Sequence, residues 1–401
     1  NGGAVYASDS TLTINYCTLT GNESGLTGGG IFATYSDVTI TKSNINDNRS
    51  YGGGAGVYVR YNAMTIIDST LSGNEAPDGE GGGVYVVGAT VTINNAFIGG
   101  NEALIGGGLM AYGSQLSLVN SLISGNGGSE DNLGGGVYLV DTAGTLNGVS
   151  IAGNSAFQGG GLFIHSGSMT IEKSTLSGNE ATVAGGIYAA AAATVSLVNS
   201  TLSGNEAAEA GGGLMTMGAV SLVNSTATNN TAATGGGAHV VGGTLTLQRA
   251  LVAGNTAPAG REVNRAAAGT VAADSHNLFG FGGDAGLVGF AAGATDVVPA
   301  AGLAAVLGPL ANNTGRTLTH ALPAGSPAID KGPSAACAAA PVGGQDQRSQ
   351  PRNVNGDGAA SANECDIGAY EFSPGGPIQT ATPTKTPTPT TTPTMTMTAT
   401  S

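Results

Sequence analysis

The chain has no tryptophan, only three cysteines and four histidines, and 9% charged residues in a length of 401. Aromatic residues make up 5%, too few to fill a large conventional globular core. With 40% apolar residues and so few charges, a disordered polyampholyte is excluded as well. Twelve lysines and arginines against 26 acidic residues leave a net charge of −14, which excludes nucleic acid as a main partner and fits an exported surface protein. No apolar run is long enough to span a membrane. His165, His239, His276 and His320 are scattered, no HExxH or G-x-S-x-G occurs, and the cysteines do not stand at metal-binding spacing.

Glycine is abundant, at 70 residues, and it belongs to a period. Asn22, Asn48, Asn74, Asn101, Asn126, Asn154, Asn179, Asn205, Asn230 and Asn255 follow one another at intervals of 25 to 28. Such recurrence marks a stacked repeat. Apolar pairs precede the asparagines with strand alternation, among them Leu12 and Ile14, Val38 and Ile40, and Val91 and Ile93. A second strand ends three residues before each Asn, at Leu19, Ile45, Leu71 and Ile98 in the first coils. A third follows the glycines, as in Val84, Tyr85 and Val86. Short strands without a helical pattern leave each repeat half buried unless the chain coils. The expectation is therefore an all-β, single-stranded parallel β-helix of about ten coils over residues 1–255. Equivalent residues would stack roughly 4.8 Å apart.

Two readings of the Asn column are open: a buried ladder in which each amide donates to one neighbour and accepts from the other, or a file of turn formers that tolerate left-handed backbone. Both are structural. The glycine triplets, which begin at Gly28, Gly52, Gly81, Gly106, Gly134, Gly159, Gly211 and Gly235, serve positive φ or close backbone approach. No Lys-Ser or Lys-Thr follows them, so they do not cradle phosphate.

Repeats that read Gly-Gly-aliphatic, then a strand, then an apolar-x-x-Asn close resemble the polymorphic outer-membrane-protein type of right-handed β-helix in bacterial surface proteins. Where that family has Phe-x-x-Asn, this chain has Leu71, Ser72, Gly73 and Asn74, so the likeness is to the architecture. The resemblance implies a right-handed, pectate-lyase-like solenoid. Asn1, Gly2, Gly3, Ala4, Val5 and Tyr6 align with the middle of a coil, from which we expect a fragment of a longer exported protein, or else a unit that stacks end to end; the chain is expected to be monomeric or to stack in that way.

Residues 256–300 read as irregular last coils, and 301–372 as a separate module. LGPLANN at 307–313, LTHALP at 318–323, GSPAID at 325–330 and CDIGAYEF at 365–372 resemble the C-terminal module of choice-of-anchor Q proteins, which implies cell-surface location rather than activity. Within it, Cys337 and Cys365 form a disulfide or a reduced pair, and Cys17 is a small buried residue of the first coil. Asn353, Asn355, Asp357 and Glu364 have the spacing of a calcium loop with Asn in place of the first Asp. The same stretch also reads as a metal-free turn. Residues 373–401, rich in Thr and Pro, form an extended stalk or linker.

Three function classes follow. The outward column of the strand after the glycines carries Tyr6, Phe32, Tyr58, Tyr85, Met110, Tyr138, Phe163, Tyr188, Met215 and His239. An exposed ladder led by Phe32, Tyr58, Tyr85, Tyr138, Phe163 and Tyr188 would bind cell-surface glycans or other surface proteins, with the loops between each Asn and the glycines as its rim. Against this stands plain ring-on-ring packing. The enzyme alternative, a lyase or hydrolase acting on acidic polysaccharide, rests on Asp47, Asp68, Arg49, Arg60 and Lys42, whose alternating signs also serve simply to relieve repulsion between coils. A third class is ice binding by the hydroxyl column Thr13, Thr39, Thr65, Thr92, Ser117 and their successors, whose other reading is β-propensity on a solvated face.

Overall fold

A computed structural model describes residues 1–128, 131–273, 276–358 and 364–374. The chain winds into a right-handed parallel β-solenoid of about 11 turns. One coil shows the plan. Strand Val84–Val87 follows the glycines, a corner leads to Thr90–Asn94, a second corner to Phe97–Gly99, and the Asn101 corner to Glu102–Ile105. Alternation then sends Val84, Val86, Val91, Ile93 and Ile98 into the lumen, where each is at most 1% exposed. Because every neighbouring coil does the same in register, the aliphatic core is one continuous column, and no coil is stable without its neighbours.

The polar column is a ladder. Asn22 Nδ2 donates to Asn48 Oδ1 at 2.8 Å, and the same bond recurs at 2.8–2.9 Å in each step to Asn255. From Asn48 onward the second amide hydrogen goes to a strand carbonyl, as from Asn101 to Leu71 O at 3.0 Å. These asparagines are buried with their donors satisfied, which removes the cost of sealing an amide in an apolar wall.

Close approach explains the glycines. A Cβ at Gly83 would stand 2.5 Å from the carbonyl oxygen of Gly108 and 3.0 Å from the Asn101 amide. One boundary is corrected: in the third coil the register makes Gly54, at φ 58°, the counterpart of Gly81, so the functional triplet is Gly54, Ala55 and Gly56 and does not begin at Gly52. Cys17 is also corrected. It is partly exposed rather than fully buried and packs against the lumen core.

The stack continues through Val263–Arg265, Thr270–Ala273, Leu278–Phe279 and Leu287–Val288, all paired in parallel. The chain then turns back. Two short helices, Leu303–Val306 and Ser334–Ala338, and an antiparallel pair, Leu310–Ala311 with Thr319–His320, lie along the third-strand face of the later coils. Thr175 Oγ1 donates to Leu318 O at 2.6 Å, Thr201 Oγ1 to Gln347 Oε1 at 2.7 Å, and Ala369 N to Thr226 Oγ1 at 3.0 Å. Leu251, Ala253 and Leu278 of the solenoid share a second apolar cluster with Val306, Leu322, Ile329 and Ile367. Cys337 and Cys365 are joined in a disulfide. No helix among the described residues is long and apolar enough to cross a membrane. The Thr/Pro-rich stretch from 375 onward lies outside the described residues.

Candidate functional site

The ring column is in register from Tyr6 to His239. Its expected exposure is corrected. Phe32, Tyr138 and Phe163 are only 6%, 7% and 5% exposed, and Tyr58, Tyr85 and Tyr188 are half buried. The rings occupy one another: Phe32 and Tyr58 stack at 5.2 Å, Tyr138 and Phe163 at 4.9 Å, and Phe163 and Tyr188 at 4.5 Å. Several of the loops expected as a rim form short stacked strands instead, and Ile105 and Leu133 of these segments pack against Met110, Tyr138 and Phe163. Burial raises the Tyr58, Tyr138 and Tyr188 hydroxyls above the ordinary tyrosine value, and burial with the Glu80 carboxylate raises that of Tyr85 further.

The more exposed rings are Tyr6, at the end of this column, and four tyrosines outside it. Tyr6, Tyr16, Tyr35, Tyr51 and Tyr112, all from the first coils, are 42–65% exposed. Tyr35 and Tyr61 occupy the corner between the first and second strands in left-handed backbone, φ 51° and 63°, an uncommon conformation for a bulky residue. Their rings stack at 4.8 Å, and the Arg60 guanidinium lies 4.9 Å from the centre of Tyr61 with a hydrogen bond to its hydroxyl at 3.1 Å. The next two residues of that corner column are Gly88 and Gly113. Nothing lies within 4 Å of where a Gly113 Cβ would stand, and Gly88 has only the Tyr61 ring near it. The Tyr61 ring thus lies over the Gly88 corner, and the side-chain-free Gly113 corner beyond it leaves a notch about 5 Å long, one coil, beside the ring. Half-exposed Tyr112 adjoins Gly113 in the chain, and Asp141 is the next corner of that column. A tyrosine at a corner that is glycine in later coils is the signal that comparison of the corners alone would have given.

The five candidate catalytic residues are not gathered. Lys42 and Asp68 share the corner between the second and third strands; Lys42 Nζ donates to Tyr16 Oη at 3.0 Å, and Asp68 accepts from Asn95 at 2.6 Å. Arg49 pairs with Glu75 at 2.8 Å on the fourth strand, as charge alternation between coils expected. Asp47 holds the Asn-side corner at φ 54°, and Arg60 lies at the opposite end of strand Ala63–Ile67 from Asp68. The threonine column is real, but the file two residues earlier is interrupted by Asp37, Ala63, Gln115 and Ala143.

Of the expected calcium loop the structure describes residues 353–358 and 364. Gly356 N and Asp357 N both donate to Asp330 Oδ2, at 2.9 and 2.7 Å, and Asn355 Oδ1 accepts from Gly358 N at 2.6 Å. Glu364 is held through its backbone N by Ser334 Oγ at 3.0 Å. Two amide hydrogens thus meet one oxygen of the Asp330 carboxylate, while Asp330 Oδ1 and Asn353 Oδ1 are buried with no hydrogen-bond partner among the described residues. Among the described residues, no three His, Cys, Asp or Glu side chains are grouped to hold a metal ion.

Sequence reasoning missed Glu262. It stands at the third-glycine position of its coil, and its carboxylate accepts from Asn255 Nδ2 at 2.6 Å and from Gly254 N at 3.0 Å. Burial is the main cause that pushes its pKa up to about 7. The signal was present as Gly260, Arg261 and Glu262 where a glycine triplet recurs.

The right handed beta helix region family matches the chain at residues 1–103, 29–202 and 106–271. No curated protein and no solved structure matches it.

Proposed function

This chain belongs to the right-handed β-helix family, and from that premise we propose that it is a non-enzymatic, surface-displayed rod that binds glycans through the notch beside Tyr61. The stacked pair Tyr35 and Tyr61 carries this reading. A sugar ring laid in the notch covers a tyrosine face with its C–H bonds, and the donors of Arg60 address its hydroxyls. Rigid aromatic anchors held by a stacked scaffold lose little conformational entropy on binding. The resemblance of the C-terminal segment to the choice-of-anchor Q module supports a place at a bacterial cell surface. Only Lys42 and Asp68 share a corner, while Asp47, Arg49 and Arg60 stand on other corners and strands, which weighs against the acidic-polysaccharide enzyme, as the interrupted threonine file does against ice binding.

The test is a glycan array with the full chain and with Tyr35→Ala/Tyr61→Ala, run beside product assays on acidic polysaccharides. We expect the variant to lose bound glycans by tenfold or more while it stays folded, its stability lowered only by the lost ring pair, about 0.5–1.5 kcal/mol beyond its buried area. Undiminished binding by the variant, or turnover abolished by Asp68→Ala, overturns the reading.

A further inference from the structure

The corner between the second and third strands is a column of left-handed residues: Asn95, Asn120, Gly148, Lys173, Asn199, Asn224 and Arg249 follow one another in successive coils. The C-terminal segment covers this column from Lys173 onward. Arg352 donates to Asn199 Oδ1 at 2.8 Å, and Gly368 N to Arg249 O at 2.9 Å. Where the cover ends, a cleft of about 440 Å³ opens between the corner column and the segments 314–316 and 347–349. That volume lies in the range of small-molecule sites.

Its walls are cationic in a chain of net charge −14. Lys173, Arg316 and Arg348, three of the 12 lysines and arginines, converge on it. Their roles differ. Arg348 is neutralised, with its guanidinium 2.7 Å from Asp346 and stacked at 3.6 Å on Tyr370. Among the described residues, Lys173 Nζ meets only neutral oxygens, Gln345 Oε1 at 2.6 Å and Ser349 Oγ at 3.1 Å. Exposed Arg316 makes no ion pair or hydrogen bond among the described residues, and its Cδ lies 3.6 Å from where a Gly148 Cβ would stand. The side chain therefore reaches across the room that Gly148 leaves. The amides of Asn120 and Asn147 complete the solenoid wall, Asn147 donating to Glu172, the acid at the rim, at 3.2 Å.

We propose that this cleft binds a carboxylated saccharide, a uronic acid residue, with the carboxylate between Lys173 and Arg316 and the ring hydroxyls toward Asn120, Asn147 and Ser349. Two uncompensated cations on opposite walls select an anion, and the planar guanidinium fork matches a carboxylate. The polar amides and hydroxyl around them suit a polyol better than an apolar acid. Repulsion from the acidic remainder of the chain is screened over about 8 Å at physiological salt, so the local pair governs affinity. The site is remote from the Tyr61 notch and does not depend on glycan binding there.

Saturation-transfer NMR titration of the full chain with D-glucuronate, D-glucose and inorganic phosphate tests the proposal. Glucuronate is expected to bind, glucose and phosphate at least about tenfold more weakly, and Lys173→Gln/Arg316→Gln to weaken glucuronate by about tenfold or more. Lys173 also ties down Gln345 and Ser349, so Arg316→Gln alone, an exposed change, must by itself weaken glucuronate several-fold with an unchanged melting temperature. Absence of glucuronate binding, equal binding of glucose, equal binding of phosphate, or indifference to Arg316→Gln overturns it. Tyr61→Ala leaves the glucuronate titration unchanged, which separates this site from the notch.

Discussion

Glu262 ends the asparagine ladder because no further asparagine follows Asn255 in the column. In the other coils the third glycine has no side chain, since the next asparagine amide lies about 3 Å from where its Cβ would be, as Asn101 does at Gly83. At the last rung that amide is missing, and a carboxylate fills its place. The protonation state of this residue sets a pH dependence. Its folded pKa of about 7 lies above the ordinary 4.5, so the folded chain holds the proton more tightly. The associated stability is complete below pH 4.5 and is lost as pH rises through 7, on the order of 3 kcal/mol. Glu262→Gln cannot ionise. Chemical denaturation at pH 5 and pH 8 should show the variant gaining on the wild type by about that amount as pH rises; a difference independent of pH contradicts the assignment.

Among the elements, the C-terminal segment is held by single contacts rather than by repetition. Its buried His320 accepts and donates at once: Nδ1 faces Gly308 O at 2.7 Å, which can only accept, so Nε2 receives the hydroxyl of Ser203 at 2.9 Å. Burial lowers its pKa to about 4. A depressed base stabilises above its unfolded value of 6.5 and loses that contribution as pH falls through 4. Hydrogen exchange should therefore accelerate at residues 303–330 between pH 7 and pH 4, after correction for intrinsic rates, while the strand Val84–Val87 remains protected. His320→Asn should lack the change; equal acid sensitivity in that variant places the cause elsewhere. These contacts were not legible in the sequence. Ser203 and His320 are 117 residues apart and occur once, so no column announces them. The disulfide between Cys337 and Cys365 was one of two open readings.

At the scale of the molecule, the repeat made the fold readable. Each column states its residue type in coil after coil, so the Asn ladder, the lumen aliphatics and the Arg49–Glu75 pairing could all be placed beforehand. What alternation could not give was the depth of a face. It placed Phe32, Tyr138 and Phe163 outside the lumen, but whether they meet solvent depends on what packs beside them: Tyr6 and Tyr58 flank Phe32, and Ile105 and Leu133 pack against the cluster of Tyr138 and Phe163. The corner tyrosines break their column instead of continuing it, so no repeat announces them. Tyr35 and Tyr61 are followed there by Gly88 and Gly113. Repetition thus builds the rod, and departures from repetition mark its candidate sites.

That account stands on coil-to-coil register, which cysteine pairs read directly. Thr65 and Thr92 are parallel partners in adjacent coils, whereas Ser117 partners Thr92 one coil further on. Adjacent strands lie about 4.8 Å apart, within disulfide reach, and next-but-one strands about 9.6 Å apart, beyond it. In a Cys17→Ser background, Thr65→Cys/Thr92→Cys should form an intramolecular disulfide on mild oxidation and Thr65→Cys/Ser117→Cys should not. Cross-linking of the second pair and not the first would contradict the stacked register.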